Sequence, residues 1–593
     1  MIMKQLTATI LTLTAVLFAF ASCSESRLEE KPKTEMTAEN IYVNEAGFEL
    51  GLNGLYSLVR CEREGYGFTD SFGATGLRAL MYIGGTDNYT CGAGASGEFS
   101  AIYKNWATAN VPTDKSLASV FSWLYNVVLS ANTVIRYAEE SDIAWHTGKR
   151  EQVIAEAKLI RAWAYRHLTY MWGPVPLVKV EVTGDTFRTD YTRESVSEVR
   201  DFIIEDLKYA VEHLSWLPSQ TGRASKGVAY TYLAEMYLAQ AGISGYDTTL
   251  LQLAYDAADA CIKEGPYALI TSRMKSGPGN AFMDQFAQDN VNIESGNTEA
   301  LWVLQWDLTS VGGGENLMRF SLRPKYDSSQ KIATGVSISY MDESRGGRGF
   351  ARTSTTKWAM ELYDQSSDPA AGIRDERGDE YAVAKYYIIG ALDEITAKGI
   401  NAKTGQLYQV GDTVFIGCSK VAEAGLRAKG CMDNYSQLKS GSSEGDSNNW
   451  PYTLKYSYCD PGFPKANESH NDQVFVRLAE TYLLRAEAAF KLGQSGQAAD
   501  DINTLRNRAH ALTVSAEEVS LPLILEERSR ELLGEEQRRY TLQRNFEPAD
   551  FVAWITARNK KDAGMSERDY YFPIPQAVID ANLTVKMEQN PGF

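Results

Sequence analysis

The residue types most often used in enzyme active sites are sparse in this chain and form no known catalytic motif. The 593 residues include five histidines, and none lies in an HExxH segment or at another metal-ligand spacing. The sequence has no GxSxG nucleophile elbow, and the glycine clusters Gly312–Gly314 and Gly346–Gly347 lack the Lys-Ser/Thr that completes a phosphate-binding loop. Glycosidase carboxylates meet only in the folded protein, so they leave no spacing signature. The sequence thus favours neither zinc hydrolysis nor nucleotide binding.

Binding is the chemistry that the composition favours. The chain holds 33 Tyr and 11 Trp residues, whose rings combine a flat apolar face with a polar edge. Such rings stack against sugars or contact a protein partner, although core packing accounts for most of them. The net charge of −17 argues against nucleic acid, because neutralising phosphates needs a clustered excess of Lys and Arg. A surface that recognises sugars or protein is therefore the better expectation.

The N-terminus has the layout of a secretory signal. Lys4 precedes an apolar run from Leu6 to Phe20, which is too short to span a bilayer comfortably, and Ala21-Ser22-Cys23 follows. A Cys directly after small residues resembles the lipobox of bacterial lipoproteins, in which this residue is acylated; an ordinary signal peptide with a coincidental Cys is the alternative. We expect cleavage of residues 1–22, lipidation of Cys23, and a flexible tether within 23–45, so that the protein is anchored to a membrane without spanning it.

The remaining cysteines do not predict a structural framework. They are widely spread and contain no CxxC pair: Cys61, Cys91, Cys261, Cys418, Cys431 and Cys459. Neither a zinc site nor a dense disulfide scaffold follows from this spacing. Cys418 and Cys431 are close enough in sequence to pair across a loop, and buried free thiols are the equal alternative.

Apolar residues that recur every three or four positions predict helical hairpins in series. Six segments show this pattern: Glu151–Met171, Ser197–Leu214, Ser225–Gln240, Leu251–Glu264, Val476–Leu492 and Gln497–Ala509. Trp172-Gly173-Pro174 should end the first, and Ser195 or Ser197 should cap the second. Each hairpin is too thin to bury its own apolar face, so the pairs must stack as in tetratricopeptide arrays. Arg161, Arg485 and the Glu526–Glu531 cluster should form ion pairs between these helices.

The middle of the chain differs from both ends. From about residue 266 to 455 it is rich in Gly and aromatic residues, with short strand-like runs such as Ala300–Trp306 and Ala382–Ile389. Loops of that length in a compact protein usually carry function. We predict a mainly α fold of tetratricopeptide-like helical hairpins with a long loop-rich region carrying short strands. The expected division is a helical region over 46–265 and a second region over 266–593 that holds the loops and the C-terminal helices.

An ordered set of motifs along nearly the whole mature chain resembles the SusD/RagB family. The set begins with Ala155–Ala162 and Trp172–Leu177 and ends with Gln589–Phe593. The intervening matches keep the family order: Asp206-Leu207, Gly222–Ala224, Asn297–Ala300, Val476–Ala488, Leu505–Ala509, Glu527–Leu532 and Phe572–Pro575. One departure is Gly349–Thr353, which lacks the proline of the family pattern and leaves the middle loops least securely aligned.

This resemblance implies a non-enzymatic nutrient-binding lipoprotein of the Bacteroidetes outer membrane that faces the cell exterior. Members of the family act as lids over a SusC-like TonB-dependent transporter: they capture a glycan or oligosaccharide, in some cases a peptide, and close it into the channel. Oligopeptide capture is therefore the first alternative function. A surface glycoside hydrolase is a weaker one, supported only by abundant carboxylates. No cofactor is expected. The sequence does not decide whether the protein binds a structural calcium ion.

The family places its ligand site on loops, where an aromatic face lies beside polar groups. One candidate is Thr86–Tyr89 after Gly84-Gly85, with Trp106 downstream, at a position that resembles the early binding residues of relatives. A second candidate comprises Trp306, Arg323, Tyr326 and Arg348. The ligand-binding residues predicted from both are Asp87, Asn88, Tyr89, Trp106, Tyr326 and Arg348. For each ring, ordinary packing is the alternative.

Overall fold

The computed structural model describes residues 37–64, 77–91, 99–184, 186–323, 346–350, 352–384, 386–388, 409, 413–415, 451–560 and 564–593. The signal peptide and Cys23 lie outside these residues, as do Tyr326, Cys418 and Cys431. Lipidation and the possible Cys418–Cys431 pair therefore stay predictions. The four remaining cysteines are buried: Cys61, Cys91, Cys261 and Cys459.

Helices dominate the described chain, which confirms the predicted mainly α fold. The N-terminal half contains α1 (Ala38–Ile41), α2 (Glu45–Arg60), α3 (Leu80–Ile83), α4 (Phe99–Lys104), α5 (Trp106–Ala109), α6 (Lys115–Glu140), α7 (Lys149–Trp172), α8 (Val196–His213), α9 (Lys226–Ile243) and α10 (Thr248–Glu264). The remainder contains α11 (Ala281–Asp284), α12 (Met318–Leu322), α13 (Lys357–Gln365), α14 (Leu478–Lys491), α15 (Ser495–Arg508), α16 (Leu521–Leu532), α17 (Arg538–Asn545), α18 (Pro548–Arg558) and α19 (Gln576–Ala581).

Successive long helices pack against one another to form the scaffold. Helices α6 to α10 each contact the next along the chain, α10 contacts α14, and α14 contacts α15. Helices on both sides of the predicted boundary near residue 265 thus belong to one stack, as stacking of thin hairpins requires. Helix α6 is long and apolar enough to span a membrane by composition, and more than half of its most apolar stretch is buried inside the fold.

The predicted helix ends have clear local causes. The Ser195 hydroxyl accepts a hydrogen bond from the Glu198 amide at 3.2 Å, and the Glu198 carboxylate accepts one from the Ser195 amide at 3.0 Å. This reciprocal pair is a capping box that starts α8. Helix α7 ends at Trp172 and is followed by the cap residue Gly173, whose φ of 71° is costly for any other residue. A Cβ there would also lie 2.9 Å from the Tyr571 ring.

The described strands form two-stranded antiparallel pairs. They are β1 (Tyr89–Cys91) with β3 (Thr353–Thr355), β2 (Ala300–Leu304) with β8 (Gln473–Arg477), β4 (Val383–Ala384) with β7 (Tyr452–Thr453), and β5 (Tyr386–Ile388) with β6 (Thr413–Phe415). The β2–β8 pair is fully buried and sets Leu304 opposite Gln473. It joins the loop-rich middle of the chain to the C-terminal helices.

The predicted interhelical ion pairs are present. Arg161 of α7 pairs with Asp206 of α8 at 2.8 Å, and Arg485 of α14 pairs with Asp501 of α15 at 2.5 Å. The Glu526–Glu531 segment lies in α16, where Glu531 forms the centre of a buried network. Its carboxylate contacts three arginines whose side chains are at most 1 % exposed: Arg377, Arg477 and Arg508.

Candidate ligand-binding cleft

Asp87, the first predicted ligand contact, is fully buried and held by the C-terminal helices. Its carboxylate accepts hydrogen bonds from Arg538 Nε at 2.8 Å, Arg538 Nη2 at 2.7 Å and Trp554 Nε1 at 2.6 Å. Asp87 lies on the predicted loop, between α3 and β1, but Arg538 of α17 and Trp554 of α18 cover it, and its role as a ligand contact stays a prediction. Asp87 therefore links the loop before β1 to the C-terminal helices α17 and α18.

Asn88, Tyr89 and Trp106 are buried as well. Tyr89 lies in β1, is 2 % exposed, and has a hydroxyl whose pKa burial raises well above its usual range. Trp106, the first residue of α5, is fully enclosed, with its ring centroid 5.4 Å from that of Tyr103 and 6.0 Å from that of Phe572. A ligand reaches these side chains only after the packing around them opens. Their role in binding stays a prediction, and in this structure they are core residues.

The second predicted group does not form one site among the residues that the structure describes. Arg348 donates from Nη1 to Asn467 Oδ1 at 2.8 Å and lies 5.7 Å from the Phe320 ring. Arg323 is 2 % exposed and lies 5.6 Å from the Tyr452 ring. Trp306 instead lines an open cleft together with residues from both earlier and later in the chain, from Arg60 to Asp472. Arg348 as a ligand contact stays a prediction.

The Trp306 cleft has a volume of about 640 Å³ and lies at the end of the β2–β8 pair. Strand β2 ends at Leu304, so Gln305 to Ser310 run outward along one wall. Asp472 directly precedes β8, and its Oδ1 accepts a hydrogen bond from the Trp306 amide at 3.0 Å. The opposite wall carries three more polar or aromatic side chains: Tyr458, Asp460 and His470. Strand register therefore brings together residues more than 150 positions apart.

The acidic groups of the cleft differ in electrostatic environment. Hydrogen bonds from Ser310 and Thr309 hold the pKa of Asp307 down to about 2, so this carboxylate is ionised at neutral pH. Burial raises the pKa of Asp472, and hydrogen bonds from Asn292 and the Trp306 amide partly offset that effect. Asp460 contacts His470 Nδ1 at 2.9 Å. The cleft thus offers several carboxylate oxygens as hydrogen-bond acceptors.

Arg60 fixes the outer wall of the cleft. It pairs with Glu64 at 2.8 Å and donates to the carbonyls of Gln305 at 3.1 Å, Gly312 at 2.8 Å and Gly313 at 3.1 Å. Hydrogen bonds from one guanidinium to three backbone carbonyls hold the Gln305–Gly313 segment in place. This rigid segment presents Leu308 and Val311 to solvent as large exposed apolar side chains.

The cleft continues into a smaller cavity. This second cavity, about 270 Å³, shares Arg60, Gln305 and Gly312 with the Trp306 cleft and extends to Gln220 and Arg223. We call these two adjoining cavities together the groove; polar side chains line most of it, and Leu308 and Val311 are its exposed apolar residues. Carboxylates and amides bind hydroxyl groups, while Tyr458 and these two apolar residues offer apolar contact to a ring face. In the described residues, no group of three or more His, Cys, Asp or Glu side chains is placed to hold a metal ion.

Sequence reasoning missed the C-terminal wall of this cleft. Tyr458, Asp460, His470 and Asp472 stand in no motif, and the segment before Val476 carries no clear pattern. Residues Gln473–Arg477 form strand β8, whereas the apolar spacing predicts a helix from Val476 onward. The available signal was Val474-Phe475-Val476, a short buried run of β-branched and aromatic residues.

Sequence profiles of known families match two long segments of the chain. The profile described as the SusD family matches residues 298–593, and the one described as "Starch-binding associating with outer membrane" matches residues 88–238. The chain belongs to the SusD/RagB family. This confirms the resemblance carried by the motifs from Ala155 to Phe593, and the matched segments include most residues of the Trp306 cleft.

Individual members of the SusD/RagB family agree with this assignment. SusD-like protein P25 of Formosa agariphila is 26% identical over 544 residues, which cover 89% of this chain and 88% of that protein. Starch-binding protein SusD of Bacteroides thetaiotaomicron is 34% identical over 140 residues, covering 23% of this chain and 25% of that protein.

Solved structures of SusD-like proteins share the fold. A laminarin-binding SusD-like protein superposes with a TM-score of 0.63 at 19% identity, covering 93% of this chain and 100% of that one. A SusD homologue from Bacteroides thetaiotaomicron gives a TM-score of 0.66 at 19% identity, with coverages of 95% and 99%. These likenesses confirm the fold of stacked helical hairpins.

Proposed function

We propose that this SusD-family protein binds an oligosaccharide at the cell surface, without cleaving it, and passes it to a SusC-like TonB-dependent transporter. The observation that carries the proposal is the Trp306 cleft within a SusD-family fold. Relatives include a starch-binding and a laminarin-binding protein, which supports a carbohydrate as the ligand. The smaller cavity adjoins the cleft and shares three lining residues with it, so the groove has room for more than one sugar ring.

The wall chemistry of the groove supports a neutral, hydroxyl-rich ligand. Asp307, Asp460 and Asp472 supply acceptors for sugar hydroxyls, whereas an anionic ligand would be repelled by them. Arg60 is already engaged by Glu64 and three carbonyls, so it is not a free partner for a carboxylate. The same acidic lining gives a peptide C-terminus no counter-charge, and oligosaccharide capture is therefore favoured over peptide capture.

Anchoring and location complete the proposal. Acylation at Cys23 would tether the protein to the outer membrane, as the lipobox resemblance implies, and the matched profile is described as associating with that membrane. Several acyl chains on one residue hold a protein to a bilayer far more firmly than one chain. Replacing Cys23 with Ala should move the protein from the membrane fraction to the soluble fraction. Retention of the variant in membranes would contradict the anchor.

Isothermal titration of the soluble chain from residue 24 onward against panels of neutral oligosaccharides and oligopeptides tests the proposed ligand. We expect affinity for an oligosaccharide, none for peptides, and no new sugar products after long incubation. Tyr458→Ala should weaken binding, because the sugar ring loses its apolar contact with the tyrosine side chain. Phe187→Ala is the control, since Phe187 is 68% exposed and lies outside the groove. Equal affinity in Tyr458→Ala and wild type would refute the assignment of the site.

A further inference from the structure

A large open cavity lies away from the Trp306 cleft, between helices α8, α9 and α17 and the C-terminal segment. It has a volume of about 1090 Å³ and shares no lining residue with the cleft or its smaller neighbour. Its lining includes Arg193, Arg200, Tyr246 and Tyr571, so it combines positive charge with aromatic rings. We call it the Arg200 cavity.

Arg200 is the distinctive group in this cavity. It lies in α8, is 6 % exposed, and donates from Nη1 to the Ala239 carbonyl at 2.8 Å. Its Nε has no hydrogen-bond partner, and no carboxylate of the described residues lies within ion-pair distance of it. Arg161 and Arg166 on the neighbouring helix α7 are also buried, and each pairs with a carboxylate. The Ala239 carbonyl and the Tyr170 ring, 5.1 Å away, are its neighbours, but a buried guanidinium without a counter-charge is still costly, and an anion supplied from the cavity would offset that cost.

The surroundings of Arg200 reinforce its positive charge. Arg193 also lines the cavity, and its three donors go to the Pro174 carbonyl at 2.8 Å, the Glu588 carbonyl at 2.8 Å and the Asn590 side chain. None of these partners is an acid, so two guanidinium groups in the cavity lack a carboxylate. Burial raises the pKa of the Tyr571 hydroxyl, and the charge of Arg200 only partly opposes this, so the hydroxyl stays protonated. It can therefore donate a hydrogen bond.

The rim of the cavity has the opposite charge. Glu547, Asp550 and Glu567 line it and are exposed, whereas Arg200 lies inside. These carboxylates would repel a ligand with several negative charges, whereas a ligand with a single carboxylate and several hydroxyls can keep its one charge away from them. The inner guanidinium would hold the carboxylate, and the rim acids would accept hydrogen bonds from the hydroxyls.

Tyr246 adds a strained aromatic side chain at this cavity. Its φ of 63° lies in the left-handed region, which is an outlier for a bulky residue, and its ring is 41% exposed. Lys491 Nζ lies 4.0 Å from the ring centroid. Strained residues that the fold holds in place occur most often where ligands bind. The exposed ring face is available to an apolar sugar face.

We infer that the Arg200 cavity is a binding site for a sugar acid, with Arg200 and Tyr571 holding its carboxylate. This site differs from the Trp306 cleft in location and in the charge of its interior. It does not depend on the oligosaccharide proposed for the cleft.

Ligand-observed NMR titration of the soluble chain with D-glucuronate, D-glucose and trialanine tests the site. D-glucuronate should bind, while glucose lacks the carboxylate and trialanine places an ammonium group and amides where the hydroxyls should lie. Arg200→Gln should weaken glucuronate binding at least about tenfold, the effect of losing a charge-assisted hydrogen bond. Tyr571→Phe keeps the ring but loses the donor, and should weaken binding severalfold. This second variant decides the matter if Arg200→Gln does not fold.

Two controls separate this site from other surfaces. Arg188→Gln removes an arginine that is exposed and paired with Asp190 outside the cavity, and it should leave glucuronate binding unchanged. Tyr458→Ala, which alters the Trp306 cleft, should also leave it unchanged. Absence of glucuronate binding at millimolar concentration, equal binding by Arg200→Gln and wild type, or trialanine binding as tight as glucuronate would overturn the inference.

Discussion

The buried network around Glu531 makes the sharpest prediction about stability. Its carboxylate contacts Arg477 Nη1 at 2.6 Å and Arg377 Nη1 at 3.1 Å, and it also pairs with Arg508. Glu531 is fully buried, and the side chains of the three arginines are at most 1 % exposed. Glu531→Gln keeps the size of the side chain and removes its charge. It leaves three guanidinium groups facing a neutral amide in a site that water does not reach.

The expected cost follows from this geometry. Breaking a buried ion pair by removing one partner costs about 3–5 kcal/mol, because the remaining charge stays buried without compensation. Glu299, Glu527 and Glu535 still neutralise part of the positive charge, since each pairs with at least one of the same arginines. Glutamine also still accepts a hydrogen bond. We therefore expect the lower end, a loss of about 3 kcal/mol in the free energy of unfolding.

Glu526→Gln is the matched control on the same helix. Glu526 is 21% exposed and approaches Arg530 at 3.6 Å, so its loss should cost about 0–1 kcal/mol. Both variants should be compared with wild type by urea denaturation and by thermal denaturation. If Glu531→Gln and Glu526→Gln unfold at the same denaturant concentration, the buried network does not hold the helices together as the ion pairs indicate.

Three further predictions concern pH, the buried Trp106 and the thiols. Burial opposes ionisation of Glu527, but Arg377, Arg506 and Arg530 outweigh it and lower its pKa from 4.5 to about 2. Because the pKa of Glu527 is lower in the folded protein, the melting temperature should be constant above about pH 4.5 and should fall as the pH drops toward 2. A melting temperature that does not change across that pH range would contradict this. Trp106→Ala should destabilise the protein by about 3–5 kcal/mol in denaturation experiments, since its ring is fully enclosed, and an unchanged melting temperature would show that the ring is not core. Burial raises the pKa of Cys61 and Cys261 to about 12, so mass spectrometry should find both unmodified by iodoacetamide at pH 8 until the protein is unfolded; rapid labelling of either in the native state would refute their burial.

The helical scaffold could be predicted because its signals are local. Apolar spacing depends on neighbours three and four residues away, so it predicts α7 to α10 within three residues at each end. The Ser195 capping box and Gly173 act within one turn of the helices that they start and end. Strand β8 is the exception: it is buried on both faces, so it lacks the alternation that marks a half-buried strand.

The site could not be predicted in the same way because its contacts are distant in sequence. The local sequence around Asp87 is typical of a ligand-binding loop. Its partners Arg538 and Trp554, however, lie 451 and 467 positions away. Nothing local to Asp87 shows that these residues cover it. The Trp306 cleft likewise depends on the pairing of β2 with β8, which sets Asp472 beside Trp306. Family resemblance predicts a ligand site but not which residues form it.

The most direct measurement is a crystal structure of the soluble chain with the oligosaccharide that binds it most tightly. We predict a sugar chain with intact glycosidic bonds in the Trp306 cleft, with one ring against Tyr458 and hydroxyls bonded to Asp307 or Asp460. A ligand bound at another surface, or a cleaved sugar in the cleft, would contradict the proposal that this groove captures an oligosaccharide without turning it over.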